Sequence, residues 1–214
     1  VDMKGIAAII ERRSGIPTFG FSTNGLNDYC YGAGLAFEAL AERFCRREEK
    51  PLSGKKAVNI IGATPLDFSI KGNVPLLRRL FEEQGYEILS LWAMGSTLEE
   101  IAGAGKANAN VVVSTSGLPA GCRLRELFGT PMVVGLPLGT AATEELFCLV
   151  DAAASDGEDK YLRPTPITTE GDNETKTLII GEQVYANSLR YCLQADYGFS
   201  RVRILSPLSP DIVS

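Results

Sequence analysis

Residues 55–85 read KKAVNIIGATPLDFSIKGNVPLLRRLFEEQG, and this stretch decides the fold class. Its first part, residues 55–61, ends in a short apolar run that stops at Gly62, which is typical of a buried strand. Its second part is amphipathic, begins near Asn73 and ends at Gly85, which indicates a helix. A buried strand followed by such a helix is the repeating unit of α/β folds.

The same alternation continues towards the C terminus. Further strands are predicted over residues 87–91, 111–113 and 131–136, and further helices over residues 118–128 and 140–153. Strands and helices that alternate with short connections form parallel sheets with right-handed crossovers. The predicted fold class is therefore α/β, a Rossmann-like parallel sheet with helices on both faces.

The N-terminal part begins with a predicted helix that Asp2 caps and Gly15 ends. A short strand is predicted over residues 18–21, then a loop, and then a long helix over residues 34–49. Cys30 falls in that loop, and it is the one cysteine predicted to lie outside regular structure.

The chain has 214 residues and no histidine. This composition excludes a Ser-His-Asp triad, a histidine-ligated zinc site and an imidazole acid or base. Any chemistry would have to rest on carboxylates, cysteines, backbone amides or a bound cofactor.

Charge and cysteine content limit the expected partners and the cellular compartment. The net charge is −5, and the excess of acidic residues lies in residues 151–174, so we expect no nucleic-acid partner. No stretch approaches 18 apolar residues, so we expect no membrane partner. The five cysteines are odd in number and contain no C-x-x-C pair, which favours a reducing cytoplasm.

Two stretches of the sequence recur, which predicts tandem domains. Residues 59–62 (NIIG) reappear as residues 178–181 (LIIG), and a helix end, glycine, proline and strand occur in both halves. Gly-x-Pro before a strand is also a common turn sequence in α/β proteins. The alternative that these matches are ordinary turns and not a domain repeat therefore stays open. The tandem interpretation divides the chain into residues 1–50, the end of a first Rossmann-like unit with a connecting helix; 55–153, a complete middle domain; 154–174, an acidic linker; and 175–214, the start of a third unit.

Several of these stretches resemble the nitrogenase component 1 family, whose fold is of the helical-backbone metal receptor type. The similarity to its middle domain is carried by residues 58–62 (VNIIG), 73–86 (NVPLLRRLFEEQGY), 92–101 (WAMGSTLEEI) and 135–140 (GLPLGT). Residues 2–7 (DMKGIA) look like the end of its first domain, and residues 179–190 (IIGEQVYANSLR) look like the opening of its third.

The resemblance implies a subunit of three Rossmann-like domains that pairs with a homologous or identical component 1-like subunit. Members of this family include nitrogenase catalytic subunits, cofactor-assembly scaffolds and reductases of tetrapyrrole precursors. They bind iron–sulfur or larger metal clusters and receive electrons from an ATP-driven iron-protein reductase. A cluster is therefore expected in the full-length protein.

The resemblance also implies that this chain lacks a cluster site of its own. The family's cofactor cysteine in the middle domain follows the strand that corresponds to residues 111–113, and Ser114 occupies that position. The family's first-domain ligands would precede Val1, and its third-domain histidine would follow Ser214. A serine hydroxyl is a poor substitute for a soft thiolate on iron.

Three polar turns and one cysteine are the candidate site residues. In open α/β sheets, ligands bind at the carboxyl ends of the strands and at helix starts. For each turn, an ordinary turn or a helix cap is the alternative role. Cys30 is the best single candidate for a metal ligand, and an unliganded loop cysteine is the alternative. The candidate cofactor-binding residues are Gly62, Ala63 and Thr64; Ser114, Thr115 and Ser116; and Gly181, Glu182 and Gln183.

The function expected from the sequence is that of part of a component 1-like oxidoreductase subunit, which takes part in electron transfer to a metal cluster or a bound substrate. No residue is predicted to be an acid or base catalyst. Two alternatives stay open: a scaffold for metallocluster or cofactor assembly, and a small-molecule-binding α/β module without redox activity.

Overall fold

The computed structural model describes residues 2–47, 56–69, 73–163 and 175–207. Its α-helices are α1 (Met3–Ser14), α2 (Tyr29–Phe44), α3 (Pro65–Phe68), α4 (Asn73–Glu83), α5 (Leu98–Ala102), α6 (Leu118–Phe128), α7 (Gly139–Asp156) and α8 (Gln183–Ala195). Its strands are β1 (Ala57–Ile61), β2 (Glu87–Leu91), β3 (Ala109–Val112), β4 (Met132–Val134), β5 (Lys160–Tyr161), β6 (Thr177–Ile180) and β7 (Val202–Leu205).

The first five strands form one sheet in the order β2-β1-β3-β4-β5, and every pair in it is parallel. The strands β6 and β7 form a separate parallel pair. The predicted α/β fold class is confirmed, since parallel strands joined by helices make up the described chain.

Helices cover both faces of the five-stranded sheet. On one face Phe81 of α4 and Leu146 of α7 pack against Ile60 and Val111 of the central strands. On the other face Phe37 of α2 joins residues of α5, α6 and β1 in a second cluster. Because β1 and β3 are covered on both faces, all of their residues are buried, which explains their largely apolar sequences. The one polar residue of each strand is paired with the other, since the Asn59 amide donates to Asn110 Oδ1 at 2.8 Å.

The N-terminal segment departs from the prediction in two places. Residues 18–21 are not a strand, and their backbone instead packs closely on α1: a Cβ at Gly20 would lie 2.0 Å from the Met3 carbonyl oxygen. The helix predicted over residues 34–49 runs from Tyr29 to Phe44. Asp28 caps it, and its side chain accepts a hydrogen bond from the Tyr31 amide.

The segment predicted as an acidic linker, residues 154–174, is structured in its first part. The helix α7 continues to Asp156, and β5 adds a fifth strand beside β4. Arg125 of α6 lies 3.3 Å from Asp159 and donates a hydrogen bond to the Gly157 carbonyl. These acidic residues therefore belong to the sheet domain, and residues 164–174 lie outside the described residues.

Within the described ranges, no helix has both the length and the apolar character that a membrane crossing requires.

Candidate functional site

The carboxyl edge of the five-stranded sheet brings two of the predicted turns together. Strand order reverses between β1 and β3, and open sheets of this type bind ligands at such a switch point. Residues 62–64 follow β1 and residues 114–116 follow β3. Because β1 and β3 are paired neighbours, the two turns lie side by side.

These two turns are packed tightly against each other. The Ser114 hydroxyl is buried, donates to the Gly62 carbonyl at 2.7 Å and lies 2.6 Å from the Ser116 hydroxyl. Gly62 has φ +96°, and a Cβ there would lie 2.7 Å from Ser114 Oγ and 3.1 Å from the Gly117 amide nitrogen. The Ser114 hydroxyl therefore joins the two turns.

The third predicted turn reaches the same edge through Glu182. One carboxylate oxygen of Glu182 accepts a hydrogen bond from the Tyr185 amide at 2.8 Å, and so caps α8. The other oxygen accepts from the Thr115 amide at 2.7 Å. Gln183 instead contacts Asn187 within α8 at 3.1 Å. Glu182 thus links α8 to the switch point, and the alternative role of this turn as a cap is observed.

Two more side chains of the α8 region hold it against the loop after β4 and the start of α7. The Ser188 hydroxyl accepts from the Leu136 amide at 2.9 Å. The Asp196 carboxylate accepts from the Thr140 and Ala141 amides at 2.8 and 2.9 Å. A carboxylate is favourable at a helix N-terminus, where amides lack partners within the helix.

Cys30 lies in the first turn of α2, so its predicted place in a loop is wrong. Its side chain is buried, and this burial raises the pKa of the thiol. Gly34, where the helix was predicted to begin, lies inside α2, and a Cβ there would lie 3.0 Å from Pro119 of α6. The helix-start signal that could have corrected the prediction is Asp28.

A carboxylate network that the sequence did not indicate lies beside Cys30. The Tyr29 hydroxyl donates to Asp67 Oδ1, and the Thr64 hydroxyl donates to Asp67 Oδ2 at 2.9 Å. Burial, together with the hydrogen bond to Asp67, raises the pKa of Tyr29 far above its usual value. Tyr29 therefore stays protonated and holds the Asp67 carboxylate in place.

A half-open cavity of about 820 Å³ extends from the switch point along α2 and α6. This volume lies in the range of small-molecule and cofactor sites. Two predicted residues, Cys30 and Thr115, line it together with Asp28, Glu38 and Cys122. The remaining wall is mostly apolar and includes Leu26, Leu35, Leu118, Pro119, Met132 and Tyr161.

The described residues do not fit an iron–sulfur cluster, which needs several cysteine thiolates. No group of three or more Cys, Asp or Glu side chains in the described part of the chain could hold a metal ion. Burial raises the pKa of Cys30, Cys122 and Cys192, and raises the pKa of Cys45 to about 12. Their thiolate forms are therefore disfavoured.

The chain is similar to known proteins over most of its length. A model of the family described as nitrogenase component 1 type oxidoreductase matches residues 1–171. A light-independent protochlorophyllide reductase subunit of Prosthecochloris aestuarii is 28% identical over 137 residues, which are 63% of this chain and 26% of that protein. The corresponding subunit of Rubrivivax gelatinosus is 31% identical over 100 residues, which are 46% of this chain and 18% of that protein.

Solved structures share the fold. The structure titled "Nitrogenase Cp1 at pH 5" matches 98% of this chain and 44% of its own chain, with a TM-score of 0.60 and 16% identity. A second structure, "Nitrogenase Cp1 at pH 6.5", matches 94% of this chain and 41% of its own chain, with a TM-score of 0.59 and 18% identity. The chain thus spans about a quarter or less of the curated relatives and under half of these structures. Because the family model covers residues 1–171 of the 214, this chain belongs to the nitrogenase component 1 type oxidoreductase family.

Proposed function

We propose that this chain is part of a component 1-type reductase subunit, in which the large cavity helps to hold the molecule that is reduced. The observation that carries the proposal is a largely apolar cavity of about 820 Å³ that extends from the carboxyl edge of the sheet. All of its lining residues except Pro207 lie within residues 1–171, which match the family. Apolar walls with a few polar groups are typical of sites for organic ligands.

For the substrate we propose a flat, conjugated molecule of the tetrapyrrole type. The relatives that match the chain are named as subunits of a protochlorophyllide reductase, and this name suggests the class. Leu35, Leu118 and Met132 would exclude water from the ring face. Asp28 and Glu38 would repel a carboxylate substituent, so we expect such a group to point away from these two residues.

The partners that we propose are a homologous or identical component 1-like subunit and an ATP-driven iron-protein reductase. Any iron–sulfur cluster would be held by other parts of the full-length protein, since the described residues do not fit one. The reducing cytoplasm is the compartment that suits the free thiols of this chain.

The test uses the full-length protein, purified without oxygen, with protochlorophyllide as the probe. Binding is measured from the absorption change of the probe, and turnover is measured after addition of an iron-protein reductase and ATP. Leu35→Trp places a larger side chain in the cavity and should weaken binding about tenfold or more. Leu98→Trp is the matched control, because Leu98 is 49% exposed on α5 and does not line the cavity.

Three results would count against the proposal. A full-length protein without iron, without a chromophore and without affinity for the probe would end it. Iron and probe binding without any reductive turnover would instead indicate a scaffold or a binding module. Equal binding by the wild type and Leu35→Trp would show that the probe binds elsewhere.

A further inference from the structure

A second cavity, separate from the large one, lies where α3, α4 and α8 approach the loop after β4. Its volume is about 210 Å³, and none of its lining residues lines the large cavity. Its lining includes Asp67 and Phe68 of α3, Asn73, Leu76, Leu77 and Leu80 of α4, and Leu136 of the loop after β4.

The volume of this second cavity indicates the size of its ligand. An engineered apolar cavity of about 150 Å³ in another protein binds benzene. A cavity of about 210 Å³ therefore has room for one two-ring molecule of the size of indole, and it is too small for a tetrapyrrole.

The walls of the second cavity are mostly apolar. Leu77, Leu136 and Phe68 of its lining are buried, and Leu80 also lines it. The Asn73 side chain donates a hydrogen bond to the Phe68 carbonyl at 2.5 Å and holds this wall in place. Leu76 is 65% exposed and stands at the mouth. Such walls favour an aromatic ligand through the burial of apolar surface.

Three polar residues interrupt the apolar lining, namely Asp67, Asn73 and Tyr185, and Asp67 is the carboxylate among them. Asp67 lines the cavity, and the hydroxyls of Tyr29 and Thr64 each occupy one site on its carboxylate. A carboxylate has about four acceptor sites, and the hydrogen bonds from described residues leave about two of them. An ionised carboxylate only accepts hydrogen bonds, and a ligand that pairs with it must therefore carry a donor.

We propose that this second cavity binds a small aromatic molecule of one or two rings whose N–H or O–H group donates a hydrogen bond to Asp67. The apolar walls would hold the rings, and the carboxylate would select the ligands that carry a donor. This site does not depend on the function proposed above, because the two cavities share no lining residue.

The test compares two ligands that differ in one donor. Indole and 1-methylindole are titrated into the 214-residue chain, with binding followed by calorimetry or by NMR. Indole should bind saturably, and 1-methylindole, which lacks the N–H donor, should bind about tenfold more weakly. Asp67→Asn removes the charge and one acceptor oxygen, and should reduce the affinity for indole several-fold.

Two matched variants locate the site. Leu76→Trp should block the mouth and reduce the affinity for indole about tenfold or more. Leu66→Trp is the control, because Leu66 is 73% exposed on the neighbouring α3, does not line the cavity and should leave binding unchanged. Thermal unfolding of each variant checks that it is folded. If Asp67→Asn does not fold, the comparison of indole with 1-methylindole on the wild type still tests whether a donor is required.

Three outcomes would overturn the proposal. Equal affinity for indole and 1-methylindole would show that no donor is selected. Binding that is absent, or that Leu76→Trp leaves intact, would show that this cavity is not the site. Self-association of the chain that Leu76→Trp abolishes, without any indole binding, would identify a protein-docking surface instead.

Discussion

The five-stranded sheet and the β6–β7 pair contain similar strand sequences but are covered differently. All residues of β1 are buried, whereas Leu178 and Ile180 of β6 are 58% and 63% exposed. Helices cover both faces of β1, while α8 covers one face of β6 and β7 in the described structure. An apolar strand sequence therefore shows that a strand can be buried, and the neighbours decide whether it is.

The two regions are joined by polar contacts at one edge. Glu182, Ser188 and Asp196 of the α8 region accept hydrogen bonds from backbone amides at the carboxyl edge of the five-stranded sheet. Val184 of α8 adds an apolar contact there. A parallel pair of strands is marginal alone, so we expect β6 and β7 to depend on this attachment.

The largest expected effect compares one isoleucine from each sheet. Ile60→Ala should lower the free energy of unfolding by about 2–5 kcal/mol, because it leaves a cavity at a fully buried position. Ile180→Ala, the matched control at a position that is 63% exposed, should change it by about 0.5 kcal/mol or less. Urea unfolding followed by circular dichroism measures both, and equal losses would contradict the different coverage of the two sheets.

The next effect compares the glycines that follow β1 and β6. Gly62→Ala should cost about 1–3 kcal/mol, because φ is +96° and the new Cβ would meet Ser114. Gly181→Ala should be nearly neutral, because nothing lies within 4 Å of its Cβ position and its φ is not positive. Thermal unfolding of both variants measures these costs. A Gly62→Ala variant as stable as the wild type would show that the two turns can move apart.

A smaller effect tests the attachment of α8. Glu182→Ala removes the helix cap and leaves the Thr115 amide without its partner, at a cost of about 1–2 kcal/mol. Native-state hydrogen exchange should therefore become faster in α8, β6 and β7, and change little in β1 and β3. Uniformly faster exchange across both sheets would mean that they open as one cooperative unit.

The smallest effect concerns acid pH at the opposite edge of the five-stranded sheet. Partial burial acts to raise the pKa of Asp151, but hydrogen bonds from Lys56 and Tyr86 outweigh it and lower that pKa. The resulting stabilisation is complete above the unfolded-state pKa of about 3.9 and is lost as the pH falls through the lower folded-state pKa. Unfolding curves between about pH 2 and 6 should show a shallower acid loss for Asp151→Asn.

Lys56→Met provides the matched check on that pH effect. It removes the cation beside Asp151 and leaves the carboxylate, so it should also reduce the acid loss of stability. If neither variant changes the loss of stability at acid pH, other carboxylates dominate acid unfolding.

Much of the fold could be predicted because its signals are local. The alternation of apolar strands and amphipathic helices predicted the parallel sheet, and the Asp2 cap and the Gly15 stop of α1 are observed. Gly129 likewise ends α6 with left-handed backbone. These features involve residues within one or two helical turns of each other, so the sequence pattern carries them.

The site could be predicted only in part. The turns after β1 and β3 were placed correctly, because parallel strands bring their carboxyl ends to one edge. The start of α2 was predicted five residues too late, because Asp28, which caps the helix, was included in the predicted loop. Whether any of these residues binds a ligand stays a prediction.

The local pattern of apolar residues, caps and glycine stops is enough to specify the α/β class, since it acts over a few neighbouring positions. The pairing of Tyr29 with Asp67, the joining of Ser114 to Gly62 and both cavities depend on residues far apart in the chain. Such contacts exist only once the helices have packed on the sheet, because packing sets the distances between side chains that the sequence leaves unrelated.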